Sequence, residues 1–423
     1  MNKNKIINDP VYGFISIKTP LLFDLIEHPY FQRLRYIKQL GMTHLVYPGA
    51  LHTRFHHALG AMHLMNLALE HLQSKGHIIT KEEEEAACVA ILLHDIGHGP
   101  FSHALEHTIV KGLSHEKISQ QLMQNLNNQF SGQLDLAIQI FNNQYHKKFL
   151  HQLISGQLDL DRLDYLNRDS FFSGVTEGMV SSDRIIKLLN IKDDNLVVEE
   201  KGIYSIEKFL IARRLMYWQV YLHKTVIAAE QLLVKILERA KELALAGENL
   251  FATPALKHFL YHHISEKDFL NDQVHLQFFS LLDDHDVMSS IKVWQLHPDF
   301  ILKTLCSFLN NRKLYKVEIG FDEVDEIKIE KIKQEIISRL HISEEETKYF
   351  VFTDTINNMA YKTGNSSINV LMKDGSLKDI AVASDNSNLE ALSKTVTKNI
   401  LCYTKFGLTV DNFLTICSFK NNS

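Results

Sequence analysis

Apolar residues recur at helical spacing through most of the first two-thirds of the chain. Leu21 to Leu40 carries such a stripe, with Arg33, Arg35 and Lys38 on other faces, and is expected to form a helix. His56 to Gln73 is expected to form a second, with Leu59, Met62, Leu67 and Leu72 on its stripe and Gly76 as its stop. Thr80 opens a third, and Glu83 three residues on completes a capping box. That helix runs through Ala86, Ala90 and Leu93 to His94-Asp95, and Gly97 and Gly99-Pro100 end it. Further helices are expected over 114–128, 148–168 and 205–240, with Asp193-Asp194-Asn195 as the turn of an inserted β-hairpin. The pattern changes near residue 310. Leu314–Ile319, Tyr349–Thr353, Ile368–Met372 and Ile380–Ala383 read as strands, and Glu323–Leu340 and Leu389–Lys398 as helices. The expectation is a mainly α core over residues 1–310 and a smaller α+β lobe over 311–423, of regulatory or assembling character.

A chain of 423 residues with 45% hydrophobic composition can bury a large core. The net charge of −5 lacks the basic excess of a general nucleic-acid binder, so nucleic acid is not expected as the main partner. Cys88, Cys306, Cys402 and Cys417 form no CxxC pair and read as reduced, mostly packed thiols. Residues 1–10 lack an apolar signal core, and no stretch is apolar enough to span a bilayer; a cytoplasmic protein is expected.

His94-Asp95, at the end of an apolar run, changes this picture. A carboxylate beside an imidazole in an apolar setting is costly unless a cation neutralises it, and a divalent ion does so while making water a usable nucleophile. The chain has 23 histidines, many of them between His44 and His115. His57, His94, Asp95 and Asp161 could close one site, and their nitrogen and oxygen donors without thiolate suit Fe, Mn, Zn, Ni or Mg. Each also has a plain alternative: His57 as a satisfied core histidine, Asp161 as a helix cap or the partner of Arg162.

The order His57, His94-Asp95, Asp161 resembles the HD-domain metal-dependent phosphohydrolases. Phe31-Gln32-Arg33-Leu34-Arg35-Tyr36-Ile37-Lys38-Gln39-Leu40-Gly41, Tyr47-Pro48-Gly49-Ala50 and the run from His94 to His103 resemble more narrowly the deoxynucleoside triphosphate triphosphohydrolases. The resemblance is to the branch of the sterile-alpha-motif and HD-domain protein, strong over residues 5–240 and fading beyond. No separate sterile-alpha-motif domain is expected before residue 5.

The resemblance implies an HD-domain helical core and hydrolysis of a dNTP to deoxynucleoside and inorganic triphosphate. It casts His57, His94, Asp95 and Asp161 as metal ligands and Arg54 as an α-phosphate contact. His98 and His103 fall beside the scissile phosphate, and Glu106 and His115 form the acid–base pair, with a glutamate where the family has a shorter aspartate. Gln39, Leu40, Arg162, Tyr165, Asp169 and Arg213 match sugar and phosphate contacts, and Tyr221 and His223 the base end. Arg162 stands where the branch has a lysine, which keeps the charge but changes its shape; between Tyr221 and His223, Leu222 replaces a glutamine, so base preference is not inherited. Lys5, Asn8, Glu27, Gln32 and Arg35, with Arg184, Arg312 and Lys316, resemble a second site where GTP or a dNTP regulates a homo-oligomer, dimer or tetramer. Val198-Glu199-Glu200-Lys201, in a hairpin near 198–204, is more acidic than that pattern and is expected to repel triphosphates. Two other functions stay open: another HD phosphatase, acting on nucleoside monophosphates, and a nucleotide-sensing assembly protein with dispensable catalysis.

Overall fold

The chain opens with a hairpin of β1 (Lys5–Asp9) and β2 (Gly13–Ile17), paired antiparallel from Lys5↔Ile17 to Asp9↔Gly13. The structure is a computed structural model and describes residues 5–101, 112–358, 361, 367–385 and 395–405. His103, Glu106 and Cys417 therefore lie outside the described residues.

Helix α1 (Pro20–Glu27) is capped by Thr19, whose hydroxyl accepts from the Leu22 amide at 3.3 Å. It stops at His28, so the helix expected over Leu21–Leu40 is corrected to α1, one turn at Pro29–Gln32 and a 3-10 turn at Arg33–Tyr36. Pro29 forces this break: the residue before a proline is pushed out of the helical region, and His28 sits at φ −68°, ψ 139°.

Two helices form the centre, α2 (Arg54–Ser74) and α3 (Lys81–Leu93). Each buries much of its circumference, including Leu59, Met62, Met65 and Leu69 on α2 and Val89 to Leu93 on α3. The Thr80–Glu83 capping box is present, the Glu83 carboxylate accepting from the Thr80 amide at 2.9 Å. Around them lie α4 (His115–Gln129), α5 (Lys148–Ile154), α6 (Leu160–Ser173), α7 (Ile203–Met216) and α8 (Lys224–Leu245).

Two expected helices are each broken in two. Within 148–168, Asp159 ends the run by capping α6, accepting from the Arg162 amide at 2.7 Å and the Gly156 amide at 2.9 Å. Within 205–240, a π turn at Tyr217–Tyr221 leads to His223, which leaves the helix and caps α8 through Nδ1 and the Thr225 amide at 3.2 Å.

The inserted hairpin is β3 (Leu189–Lys192) and β4 (Asn195–Glu199). Its turn residues Asp193 and Asp194 both take positive φ, 51° and 57°, the pairing that matches strand twist in a two-residue turn. Residues 198–204 are not a hairpin: β4 passes through a 3-10 turn at Glu200–Gly202 directly into α7. The chain's later part supplies α9 (Phe300–Asn310), β5 (Lys316–Gly320), α10 (Glu326–Leu340), β6 (Val351–Asn358), β7 (Asn369–Leu371), β8 (Leu377–Asp379) and β9 (Val396–Tyr403). One sheet has the order β5-β9-β6; the other, β3-β4-β7-β8, joins the late strands to the inserted hairpin through a parallel β4–β7 pairing. Ile380–Ala383 is a helical turn capped by Asp379 rather than a strand. Of the helix expected over Leu389–Lys398, residues 389–394 lie outside the described residues, and Val396–Lys398 belong to β9, where Ile400, Leu401 and Cys402 are buried. Cys88, Cys306 and Cys402 are free and buried, and among the described residues no helix is long and apolar enough to cross a membrane.

Candidate metal centre and active site

Three helix ends converge. Arg54 and His57 occupy the first turn of α2, His94 and Asp95 follow the last residue of α3, and Asp161 sits in the first turn of α6. The spacing Arg54–His57 puts both on one face of α2, and Asp161–Asp164 does the same on α6.

Nε2 of His57 stands 3.1 Å from Asp161 and 3.8 Å from Asp95; Nε2 of His94 stands 3.4 Å from Asp95 and 3.5 Å from Asp161. Both Nε2 atoms are buried without an aligned hydrogen-bond partner. The other nitrogen of each ring is satisfied: His57 Nδ1 by Asp164 at 2.7 Å, His94 Nδ1 by the Ile91 carbonyl at 2.6 Å. A ring with one nitrogen tied to a carboxylate or carbonyl, and the other buried and unpaired, is the form that ligates a metal. Ligand atoms of His57, His94 and Asp161 lie within 4.8 Å of one another, so this donor set fits a divalent cation. Burial lowers the His57 pKa, but Asp161 and Asp164 outweigh it and raise the group to about 10. A cation at Nε2 would take the place of that proton. Burial works against ionised Asp95 too, but His98, His94, Arg54 and His57 outweigh it and hold the carboxyl well below its ordinary range.

Asp95 also ties the remaining groups to the centre. Arg54 Nη1 donates to it, and His98 Nδ1 lies 3.3 Å away. The His98 ring stacks on His115 with centroids 3.9 Å apart. The loop that carries His98 is fixed from three sides. Buried Arg33 donates to the carbonyls of Ile96 (2.7 Å), His98 (3.0 Å) and Leu282 (2.9 Å), burial lowering its pKa to about 10. Ser119 accepts from the Gly97 amide at 2.9 Å and donates to the His94 carbonyl at 2.8 Å. Gly97 has no room for a side chain, because a Cβ there would lie 2.3 Å from the His115 carbonyl oxygen and the Ser119 nitrogen.

The expected substrate residues extend from this point. The Tyr165 ring is 6.5 Å from the His57 ring and 6.2 Å, edge-on, from Tyr221. Tyr221 donates to Asp169 at 2.7 Å, and the other Asp169 oxygen meets His52 at 2.7 Å. Gln39 lies beside Arg54 through backbone bonds, Gln39 to the His52 carbonyl and Arg54 to the Ile37 carbonyl, each 3.0 Å; Leu40 packs on the core. Arg162 pairs with Asp159 rather than Asp161, and together with Arg213 it lines a cavity of about 500 Å³. The His223 ring lies 6.1 Å from that of Tyr47.

The expected regulatory residues divide into two groups. Lys5 sits over the Phe23 ring of α1, Gln32 donates to the Ile26 carbonyl at 2.7 Å and accepts from Arg35 at 2.7 Å, and Asn8 and Glu27 are exposed nearby on β1 and α1. Arg184 instead donates to Ser205, Arg312 to the Leu45 carbonyl, and Lys316 pairs with Glu318. Glu199 is paired with Lys75 at 2.7 Å and Lys201 at 2.8 Å, which offsets the repulsion expected of it.

Asp164, Arg168, Asp9 and Ser119 escape sequence reasoning, as does the role of Arg33, which the sequence places only on a helix face and within a family motif. Only Asp164–Arg168 carries a local signal, opposite charges at i, i+4.

The comparisons agree with the geometry. An HD domain model matches residues 54–169, and an HD-associated region matches residues 180–254. YwfO of Bacillus subtilis, an uncharacterized protein, is 32% identical over 396 residues, 90% of this chain and 88% of its own. Human deoxynucleoside triphosphate triphosphohydrolase SAMHD1 is 30% identical over 264 residues, 52% of this chain but only 42% of its own length. A crystal structure of a phosphohydrolase from Bacteroides thetaiotaomicron superposes with a TM-score of 0.92 at 55% identity, covering 95% of this chain and all (100%) of that one. The chain belongs to the HD-domain metal-dependent phosphohydrolases, in a branch with SAMHD1-type enzymes.

Proposed function

We propose that this protein hydrolyses dNTPs to deoxynucleoside and inorganic triphosphate. The observation that carries this is the grouping about Asp95: a buried, unpaired pair of imidazole nitrogens on one side, Arg54 and the stacked His98–His115 pair on the other. His57, His94, Asp95 and Asp161 would hold the divalent cation, which supplies Lewis-acid polarisation of phosphate oxygens. Arg54, held in place by Asp95, binds the α-phosphate and stabilises the charge that develops there. His98 orients the same phosphate. Water attacks Pα and gives up a proton to solvent, the Pα–O5′ bond breaks, and His115 donates a proton to O5′, which leaves as the 5′ hydroxyl; His115 then regains its proton from solvent. His103 and Glu106, the latter as the orienting carboxylate of His115, complete the set in this proposal.

Arg162 and Arg213 receive the outer phosphates, Tyr165 packs on the sugar with Asp169, Gln39 and Leu40 at its edge, and Tyr221 and His223 face the base. A second nucleotide, GTP or dNTP, is placed between subunits of a homo-oligomer at Lys5, Asn8, Glu27, Gln32 and Arg35, with Arg184, Arg312 and Lys316 as phosphate contacts. Residues 311–423 serve as the assembling lobe beside the 1–310 core.

Chromatography of products from metal-loaded protein tests this, with each dNTP singly and then mixed, with and without GTP. Deoxynucleoside plus intact triphosphate is expected. Stepwise phosphate release, or turnover of dNMP alone, would instead make the protein a phosphatase of the same family. A GTP series without effect on rate or assembly would remove the regulatory site.

A further inference from the structure

We propose that Asp9, at the turn of the N-terminal hairpin, is a positioning residue for the metal ligand His57, acting through Arg168 and Asp164. The seating of the hairpin then sets the affinity of the centre for a divalent cation. This rests on the metal-centre assignment above, but on no particular substrate.

The chain of contacts is continuous and buried. His57 Nδ1 meets Asp164 at 2.7 Å. Because a carboxylate only accepts, Nδ1 carries the proton and Nε2 keeps its lone pair for the cation. Asp164 is itself held by Arg168, through Nε at 2.9 Å and Nη2 at 3.0 Å. The far side of the same guanidinium grips Asp9, Nη1 at 2.8 Å and Nη2 at 3.3 Å. Asp9 also accepts from the amides of Val11 (2.9 Å) and Tyr12 (3.0 Å), so one carboxylate both closes the hairpin turn and anchors Arg168. His57, Asp164 and Arg168 are 0% exposed and Asp9 6%. The Tyr12 ring lies 5.5 Å from the guanidinium. Gly60 of α2 leaves the space, since a Cβ there would fall 2.0 Å from Asp164 Oδ1 and 2.2 Å from Arg168 Nη2.

Two carboxylates share one guanidinium. Asp9 pulls Arg168 in one direction and Asp164 pulls it in the other, so Arg168 is fixed only while both are charged. Neutralising Asp9 frees the fork to follow Asp164 alone, and the Asp164 carboxylate that aims His57 moves with it.

The test is calorimetric titration of metal-stripped, full-length protein with Mn²⁺. Asp9→Asn keeps an acceptor for the turn but loses the charge on Arg168. It is expected to weaken the Mn²⁺ Kd roughly 10-fold, at the low end of outer-shell effects, with Asp164→Asn nearer 100-fold. The double variant should bind no more weakly than Asp164→Asn alone, because the two act in series. A Kd for Asp9→Asn within about twofold of wild type, with a lowered Tm of the metal-free protein, would make Asp9 a structural staple only and overturn the inference. If Asp9→Asn does not fold, Arg168→Lys serves instead: it keeps the charge and loses the two-sided fork, and an unchanged Kd again overturns the inference. Wild-type protein that takes up no Mn²⁺ would remove the metal centre itself, which is a different failure.

Discussion

His98 and His115 stack with their ring centroids 3.9 Å apart and planes 29° apart, bringing the first residue of α4 against the loop that follows α3. His98 Nδ1 lies 3.3 Å from Asp95, and ligand atoms of Asp95, His98 and His115 all lie within 4.8 Å of one another, so His115 belongs to the same group. His115→Ala should lower kcat by about 10²–10⁴-fold, the usual contribution of a positioned proton donor, with Tm unchanged. Steady-state kinetics beside thermal unfolding check this, and full turnover in a folded variant would refute the role of His115.

Removing a metal ligand should cost the metal as well as the rate. His57→Ala and Asp95→Ala are expected to lose bound metal and, with it, roughly 10³-fold or more of turnover, since several kcal/mol of charge stabilisation goes with the ion. Elemental analysis of the purified variants gives the answer. A full equivalent of metal in His57→Ala would show that the ligands lie elsewhere. Full biological activity in a metal-free variant would favour nucleotide sensing over catalysis.

Gly97→Ala should be severe although no ligand is touched. The new methyl would meet backbone atoms of His115 and Ser119 at 2.3 Å, and backbone cannot swing aside as a side-chain tip can. A loss of about 1–3 kcal/mol is expected, read as a fall in denaturation midpoint, along with reduced turnover as His115 is displaced. A variant as stable and active as wild type would contradict the packing of α4 on the Gly97 loop.

Glu83 should shape the acid limb of stability. Burial alone would raise its pKa, but Lys147 at 2.8 Å and Tyr145 at 2.6 Å outweigh it and lower the group below its ordinary value. A carboxylate with a lowered folded pKa stabilises the fold above its unfolded pKa, near 4.5. That stability is lost as pH falls through the lower folded value. Glu83→Gln is thus expected to cost about 1 kcal/mol at neutral pH, including the weakened cap, and to flatten the decline below pH ~4.5. Urea midpoints measured across pH test this, and an unaltered acid limb would sink it.

The parts legible in the sequence are those with a local or motif-scale cause. Thr80–Glu83 acts over three residues, the Asp193-Asp194 turn over two, and His57, His94, Asp95 and Asp161 sit in recognisable motifs. The breaks at His28 and before Asp159 are hidden because the apolar stripe continues across them, both halves facing the same core. Pro29 nevertheless carried the signal, since a proline ejects its predecessor from the helix. The Asp9–Arg168 pair spans 159 residues, so no periodicity announces it. The parallel pairing of β4 with β7 is equally non-local, and it ties residues 369–371 to the inserted hairpin. Lys398 and its neighbours illustrate the remaining failure. A mixed run of polar and apolar residues fits a helix or a strand, and pairing with β6, joined by β5 from Asn399 on, decides for the strand.

The most direct test of the central claim is hydrolysis of a dNTP in ¹⁸O-labelled water, with the products separated and weighed by mass spectrometry. Attack of water at Pα with loss of O5′ predicts one ¹⁸O in inorganic triphosphate and none in the deoxynucleoside. Label in orthophosphate, accompanied by dNDP or dNMP, would contradict the account and place the attack at an outer phosphate.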